Sequence, residues 1–350
     1  MTKKIKRFVT TPQKNDSSNI RKVNSLLDEM KDGREYESII PLTPIASVLV
    51  PEIKRAINDI EEIRHRPLLC YFANVVRPLP EVLIQSSDDL SFNEMVNSVE
   101  SSVVDIDVMV VTPGGSGQQV SQFVNALRPR FDTVEFILPY MCMSAGTLWV
   151  LSGDKIWMDR RAYIGPIDPQ VRLSDGSFVP AQSLLVLLHE IRKEGEEFLN
   201  KGVPPPWELI RLVDNIDARQ LGDAITQSDY SIKMATEFLE KYKFKTWETH
   251  SSSGQPVTEV DKHKRADEIA KLFCSHDYWK SHAHGITRDA AQSPLRLKID
   301  EIETIPGLER VVRRLWALLY WLFDKGVINK LIISKNYVLV RHVIKKINPK

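Results

Sequence analysis

The sequence predicts an α/β fold, a mainly parallel sheet of stacked βαβ units followed by a helical C-terminal half. Three observations carry that expectation. Between residues 43 and 164, short continuous apolar runs alternate with amphipathic stretches of helical period. That is the pattern of parallel strands buried on both faces and joined by crossover helices. Beyond Pro180 the period turns almost wholly helical. Finally, 350 residues with 43% hydrophobic and 27% charged content suit a globular chain with a large core.

Taken in order, residues 1–40 are polar and basic and read as a partly flexible arm, with a short helix at "IRKVNSLLDEM". Residues 43–66 have helical periodicity that must end before Pro67. "PLLCYFANV" is short, apolar and β-prone, hence a strand. "SFNEMVNSVES" is an amphipathic helix and "VDIDVMVVTP" a strand buried on both faces. In "GQQVSQFVNALRPRF", Val120, Phe123, Val124 and Leu127 fall on one helical face. "TVEFILPY" is a further strand, "SAGTLWVLSG" a helix, and "KIWMDR" and "AYIGPIDPQV" short strands. Three long helical segments follow, "AQSLLVLLHEIRKEGEEFL", "PPPWELIRLVDNIDARQLGDAITQSDYSIKMATEFLEKYKF" and "DKHKRADEIAKLFC", with a polar loop at "ETHSSSGQPVTEVDK". The expected organisation is an arm over 1–40, one large domain over 41–300 and a basic, apolar extension over 301–350. His189 and the tryptophans Trp149, Trp157 and Trp207 read as packed core residues.

Charge and cysteine content exclude several functions. A net charge of +1 provides no global field for nucleic acid, which is not expected as a partner. From Val311 onward, however, nine Lys or Arg face one acid, Asp324. That segment reads either as packing or as a peripheral contact with an anionic membrane surface. Its longest apolar run, "LWALLYWLF", is far shorter than the ~20 residues needed to cross a bilayer. Cys70, Cys142 and Cys274 are odd in number and far apart, so neither a disulfide framework nor a zinc spacing follows. With no apolar leader at the N-terminus, a cytoplasmic location is expected. No cofactor and no metal is expected: "HAH" has no partner at ligand spacing. "TPGGSG" lacks the Gly-Lys-Ser/Thr ending of a P-loop and the third glycine of a dinucleotide fingerprint, so no ATP requirement is written into this chain.

Two stretches carry chemistry. Gly114 and Gly115 end an apolar strand, where glycine adds no packing and marks a close approach to the backbone. Ser144 lies in the small-residue turn "MSAG" between the next strand and a helix. Alone it reads as an ordinary helix cap. Together the two turns sit beyond the carboxyl ends of successive strands, where α/β sheets build their sites. The Gly114 and Gly115 amides would then face an oxyanion formed when Ser144 attacks an acyl carbon.

"TPGGSG" followed by "MSAGTLWVLSGDKIWMDRRAYIGPIDPQV" resembles the Clp-protease/crotonase superfamily, in particular its serine dehydrogenase proteinase branch, relatives of signal peptide peptidase A. The resemblance covers roughly residues 66 to 300, with "LLCYF", "WELI…ID…LG" and "WKSHAHGI". It implies Ser144 as nucleophile, Gly114 and Gly115 as oxyanion hole, an assembly of several copies and peptide substrates. In the Clp pattern a histidine falls where this chain has Ile167-Asp168, and an acid falls where it has "SHAHG". The triad expected here is therefore redistributed: Asp168 orients, His282 is the base, Ser144 attacks. A Ser–Lys dyad with Lys193, as in signal peptide peptidases, is the rival. Its acidic neighbours Glu190, Glu194 and Glu196 oppose the low pKa such a lysine needs. Asp168 before Pro169 also reads as a turn residue, and His282 near Trp279 as a packed histidine. Three functions stay open: a serine peptidase working through an acyl-enzyme, crotonase-like thioester chemistry, and a catalytically weak or inactive protease-like scaffold that oligomerises and binds a partner.

Overall fold

The computed structural model describes Arg21 and residues 46–77, 79, 81–172, 178–250, 253–325 and 328–342. The arm expected over 1–40 and its short helix lie outside the described residues, Arg21 apart. Helix α1 (Ala46–Arg64) leads into β1 (Leu68–Ala73), α2 (Asp89–Asn97), β2 (Asp105–Val111), α3 (Gly117–Leu127), β3 (Thr133–Leu138), β4 (Met141–Cys142), α4 (Ala145–Leu151), β5 (Lys155–Met158) and β6 (Tyr163–Ile164). Next come β7 (Gln170–Arg172), β8 (Phe178–Pro180), α5 (Ala181–Asn200), α6 (Trp207–Asp214), α7 (Ala218–Phe238) and α8 (Glu259–Cys274). The chain continues through α9 (His276–Trp279), β9 (Ile286–Thr287), α10 (Arg288–Gln292), β10 (Asp300–Glu301), α11 (Leu308–Lys325), β11 (Ile328–Ile333) and β12 (Val338–His342).

The main sheet has seven strands in the order β10-β5-β3-β2-β1-β11-β12. The pairs from β10 to β1 are parallel, as the buried apolar runs predict, and the last two pairs are antiparallel. Alternate residues of each strand feed opposite faces. Leu69, Tyr71, Val108 and Val110 face one core with residues of α2, α3, α4 and α8. Leu68, Cys70, Phe72 and Met109 face the other with α1 and α11. Both faces are covered, which is why these strands carry no polar alternation.

Three strands at or within the stretch expected as an extension, β10, β11 and β12, belong to this same sheet: β10 pairs with β5, and β11 with β1 and β12. Three basic residues of the segment meet acids from elsewhere in the chain. Arg313 pairs with Asp159, Arg314 with Glu52, and the fully buried Lys330 with Asp88.

Helices α5 to α7 differ from the expectation in two places. Trp207, read as packing, is 70% exposed, and Leu199, Ile210 and Val213 are exposed beside it in sequence. His189, read as a core residue on an apolar helix, is exposed as well. The stripe of apolar residues that suggested burial is only partly covered: Leu184 and Leu185 pack against Ala224 of α7 and Ile191 is buried, while His189 and Trp207 lie outside that contact. Trp149 and Trp157 are buried as expected.

Candidate active site

A second, smaller sheet assembles the site. Its order is β4-β6-β9, with β4 parallel to β6 and β9 antiparallel. Cys142 pairs with Ile164 and Ile164 with Ile286, while Thr112 at the end of β2 bridges Cys142 from the other side. One row of four residues thus crosses four segments. Given the strand directions, Gly114 and Gly115, Ser144, Asp168 and His282 all leave that row at the same end. Backbone pairing thus sets side by side segments scattered from residue 112 to residue 286.

Ser144 has φ 53° and ψ −119°, a conformation a non-glycine residue adopts only when its surroundings impose it. Those surroundings are rigid. All seven residues of α4 are buried, and Trp149 packs edge-on against Tyr71, Phe92 and Phe136. The Thr147 hydroxyl donates to Cys142 O at 3.1 Å and accepts from the Gly165 amide at 2.9 Å, tying α4 to both β4 and the turn after β6.

Both glycines are required by clearance. A Cβ on Gly114 (φ +108°) would stand 2.7 Å from Ser144 Cβ and 2.9 Å from Met143 O. One on Gly115 (φ +144°) would meet Ile84 O at 2.4 Å. The Gly114 amide donates to Thr112 Oγ1 at 3.1 Å. Ile84 bonds to the Gly114 carbonyl and the Ser116 amide, which leaves the Gly115 N–H turned to the other side. The backbone N–H of Ala145, directly after Ser144, opens α4 and has no intrahelical partner to bond. Its place beside the turn of Gly114, 3.3 Å from where a Cβ there would sit, went unread in the sequence.

Asp168 is fully buried and accepts from His282 Nδ1 at 2.8 Å. The turn that carries it is pinned to the end of α8 by the Ile167 amide, which donates to Phe273 O at 3.0 Å. The sequence-predicted acid and base therefore meet. Among the described residues no hydrogen bond joins Ser144 to His282, and Lys193 stands exposed on α5. A second histidine, His276, also faces Asp168, at 3.8 Å. Reading the sequence missed it because nothing in its spacing separates it from a surface histidine. Burial pushes the Cys274 thiol up to about 12, with the charge of Asp168 adding to it, and pushes Cys142 higher still. Neither cysteine near the site supplies a thiolate near neutral pH.

The family model of the ClpP-like SDH-type serine proteinases matches residues 92–201, the stretch from α2 through the glycine turn, Ser144 and Asp168 to the end of α5. The chain is similar to the uncharacterised protein MJ1495 of Methanocaldococcus jannaschii, 31% identical over 150 residues that make up 41% of this chain and 46% of that protein. It is also similar to MJ0137 of the same organism, 38% identical over 80 residues, 22% of this chain and 28% of that one. The chain thus spans less than half the length of either relative. Among solved structures it is similar to a mutant of the 1510-N membrane-bound stomatin-specific protease in complex with a substrate peptide. That match has 14% identity and a TM-score of 0.38, and covers 75% of this chain and 84% of the other. A ClpP1 mutant from Listeria monocytogenes matches at 12% identity and a TM-score of 0.26, over 48% and 92% of the two chains.

Proposed function

We propose, on the premise of the serine proteinase match over residues 92–201, that this chain is a serine peptidase with Ser144 as nucleophile. The observation that carries the reading is the single row Thr112–Cys142–Ile164–Ile286, from one end of which the serine, the acid, the histidine and the glycine turn all emerge. With Nδ1–H donated to Asp168, His282 is held in the tautomer whose Nε2 accepts a proton. Ser144 Oγ attacks the peptide carbonyl carbon as His282 takes its proton. The carbonyl oxygen becomes an oxyanion, received at the 114–115 turn by the Gly115 N–H together with the Ala145 N–H. Collapse of the tetrahedral intermediate expels the amine, protonated by His282. Water activated by the same imidazole then cleaves the acyl-enzyme. Gly114 serves this scheme through its clearance, since its amide is bonded to Thr112. The burial of Asp168 supports the scheme because a buried carboxylate calls for donors, and His282 answers one of its two oxygens.

A fluorophosphonate probe labels the wild-type chain and not Ser144→Ala; equal labelling of both overturns the assignment. The missing Ser144–His282 hydrogen bond favours a second reading, a scaffold whose triad stays open. In the peptidase reading that bond forms with substrate bound, as catalytic hydrogen bonds often do. Absence of labelling in both proteins supports the scaffold.

A further inference from the structure

Asp168 has one oxygen more than the triad uses. Oδ1 is taken by His282, whereas Oδ2 is buried and lacks a hydrogen bond. The Nδ1 of His276 is buried and unbonded too, and the two orphaned atoms face each other at 3.8 Å. Buried polar atoms without partners are costly, and two complementary ones in register satisfy each other by a small ring rotation. His276 is held in place to do so. It opens α9, where Ser275 Oγ accepts the Tyr278 amide and Trp279 Nε1 donates to Leu272 O at 2.7 Å.

We propose that His276 is a positioning residue for the site: its Nδ1–H holds Asp168 Oδ2 while His282 Nδ1–H holds Oδ1. The carboxylate plane is then fixed from both sides. That plane sets the direction in which His282 Nε2 points, so His276 acts on the reaction through Asp168 without touching substrate. The inference rests on the reading of Asp168 and His282 as the pair behind Ser144. It requires both histidines to carry their proton on Nδ1.

The test is the rate of fluorophosphonate inactivation of the full chain, resolved into kinact and KI. His276→Leu lowers kinact by about tenfold or more, the scale on which supporting partners act, and leaves KI unchanged. His276→Asn, whose Nδ2 donates from a similar place, recovers most of that loss. Wild-type kinact in His276→Leu overturns the proposal. So does an equal loss in both variants, which marks a packing role. Nitrogen-15 spectra of histidine-labelled wild-type protein give a second check that needs no variant to fold. Protonation of His276 at Nδ1 supports the proposal, and at Nε2 it overturns it. Labelling of Ser144→Ala would instead sink the underlying peptidase reading, whereas an inert Ser144→Ala beside an unaffected His276→Leu sinks only this inference.

Discussion

Asp107 and Asp168 are both fully buried carboxylates, and they are answered by different bases. Asp107 lies near the start of β2. Arg64 grips it through Nε at 2.7 Å and a terminal nitrogen at 3.1 Å, and the same guanidinium reaches Glu135 at 2.6 Å. Trp157 Nε1 donates to Glu135 as well. Asp168, beyond the other end of the strands, meets two imidazoles. A guanidinium stays protonated in proteins, so the Asp107 cluster is a fixed brace. An imidazole has two distinct ring nitrogens, so a histidine can hold a carboxylate through one and present the other elsewhere. Burial pushes the Asp107 carboxyl up to about 6, against the pull of Arg64. Both clusters solve the same burial problem, one with a guanidinium and the other with imidazoles.

The comparison breaks first at Asp168. Asp168→Asn removes the carboxylate charge and turns an amide NH2 toward His282 Nδ1, favouring the wrong tautomer, and lowers the fluorophosphonate reaction rate by about 10⁴-fold, the cost of that exchange in a triad. Its thermal midpoint stays near that of the wild type. A rate within tenfold of wild type would make the two clusters equivalent braces. The converse variant, Arg64→Leu, takes from Asp107 its two hydrogen bonds and leaves it, among the described residues, only Arg66 at 3.7 Å, while Glu135 keeps Trp157, Arg66 and Lys155; it costs roughly 3 kcal/mol of stability in urea titration. Labelling of its folded fraction is unchanged; a selective loss of labelling would tie the far brace to the site.

Lys243 sharpens the contrast because no acid stands within ion-pair distance of it among the described residues. Its ammonium donates to Asp154 O at 3.5 Å, and burial pulls its pKa down from 10.5 to about 8. A cation whose folded pKa is depressed weakens the fold below that pKa and stops doing so as pH rises toward the unfolded value. Lys243→Met is therefore more stable than wild type at pH 7 by about 1–3 kcal/mol. The gap closes between about pH 8 and 10.5. A constant gap across that range would show that packing, not charge, sets the difference.

Much of the fold is legible in the chain because burial on both faces leaves continuous apolar runs. β1, β2, β3 and β5 fall where those runs lie. Three features escape for physical reasons. An apolar stripe on a helix says which face is greasy and not whether a neighbour covers it, hence Trp207 and His189. A basic, apolar segment looks alike as an extension or as an antiparallel strand whose acids lie far upstream, hence β11 with Lys330 and Asp88. His276 approaches Asp168 only because a distant turn is pinned to the end of α8. At the site, the turns around Gly114 and Ser144 stand out because glycine pairs and small-residue turns are rare beside buried strands. Their tight mutual clearance, in contrast, is a property of three dimensions.

The antiparallel pairing of β11 with β1 also bears on how the protein is made. Asn74, just past β1, donates to the carbonyl of Ile328 across 254 residues of chain. While the ribosome is still delivering the helical segments between them, that edge of the nascent sheet has no strand beside it. An open edge of apolar strand invites foreign partners, and long-range pairing is slow. Newly synthesised copies therefore pass through a window of vulnerability to aggregation that ends only when residue 333 has emerged and docked.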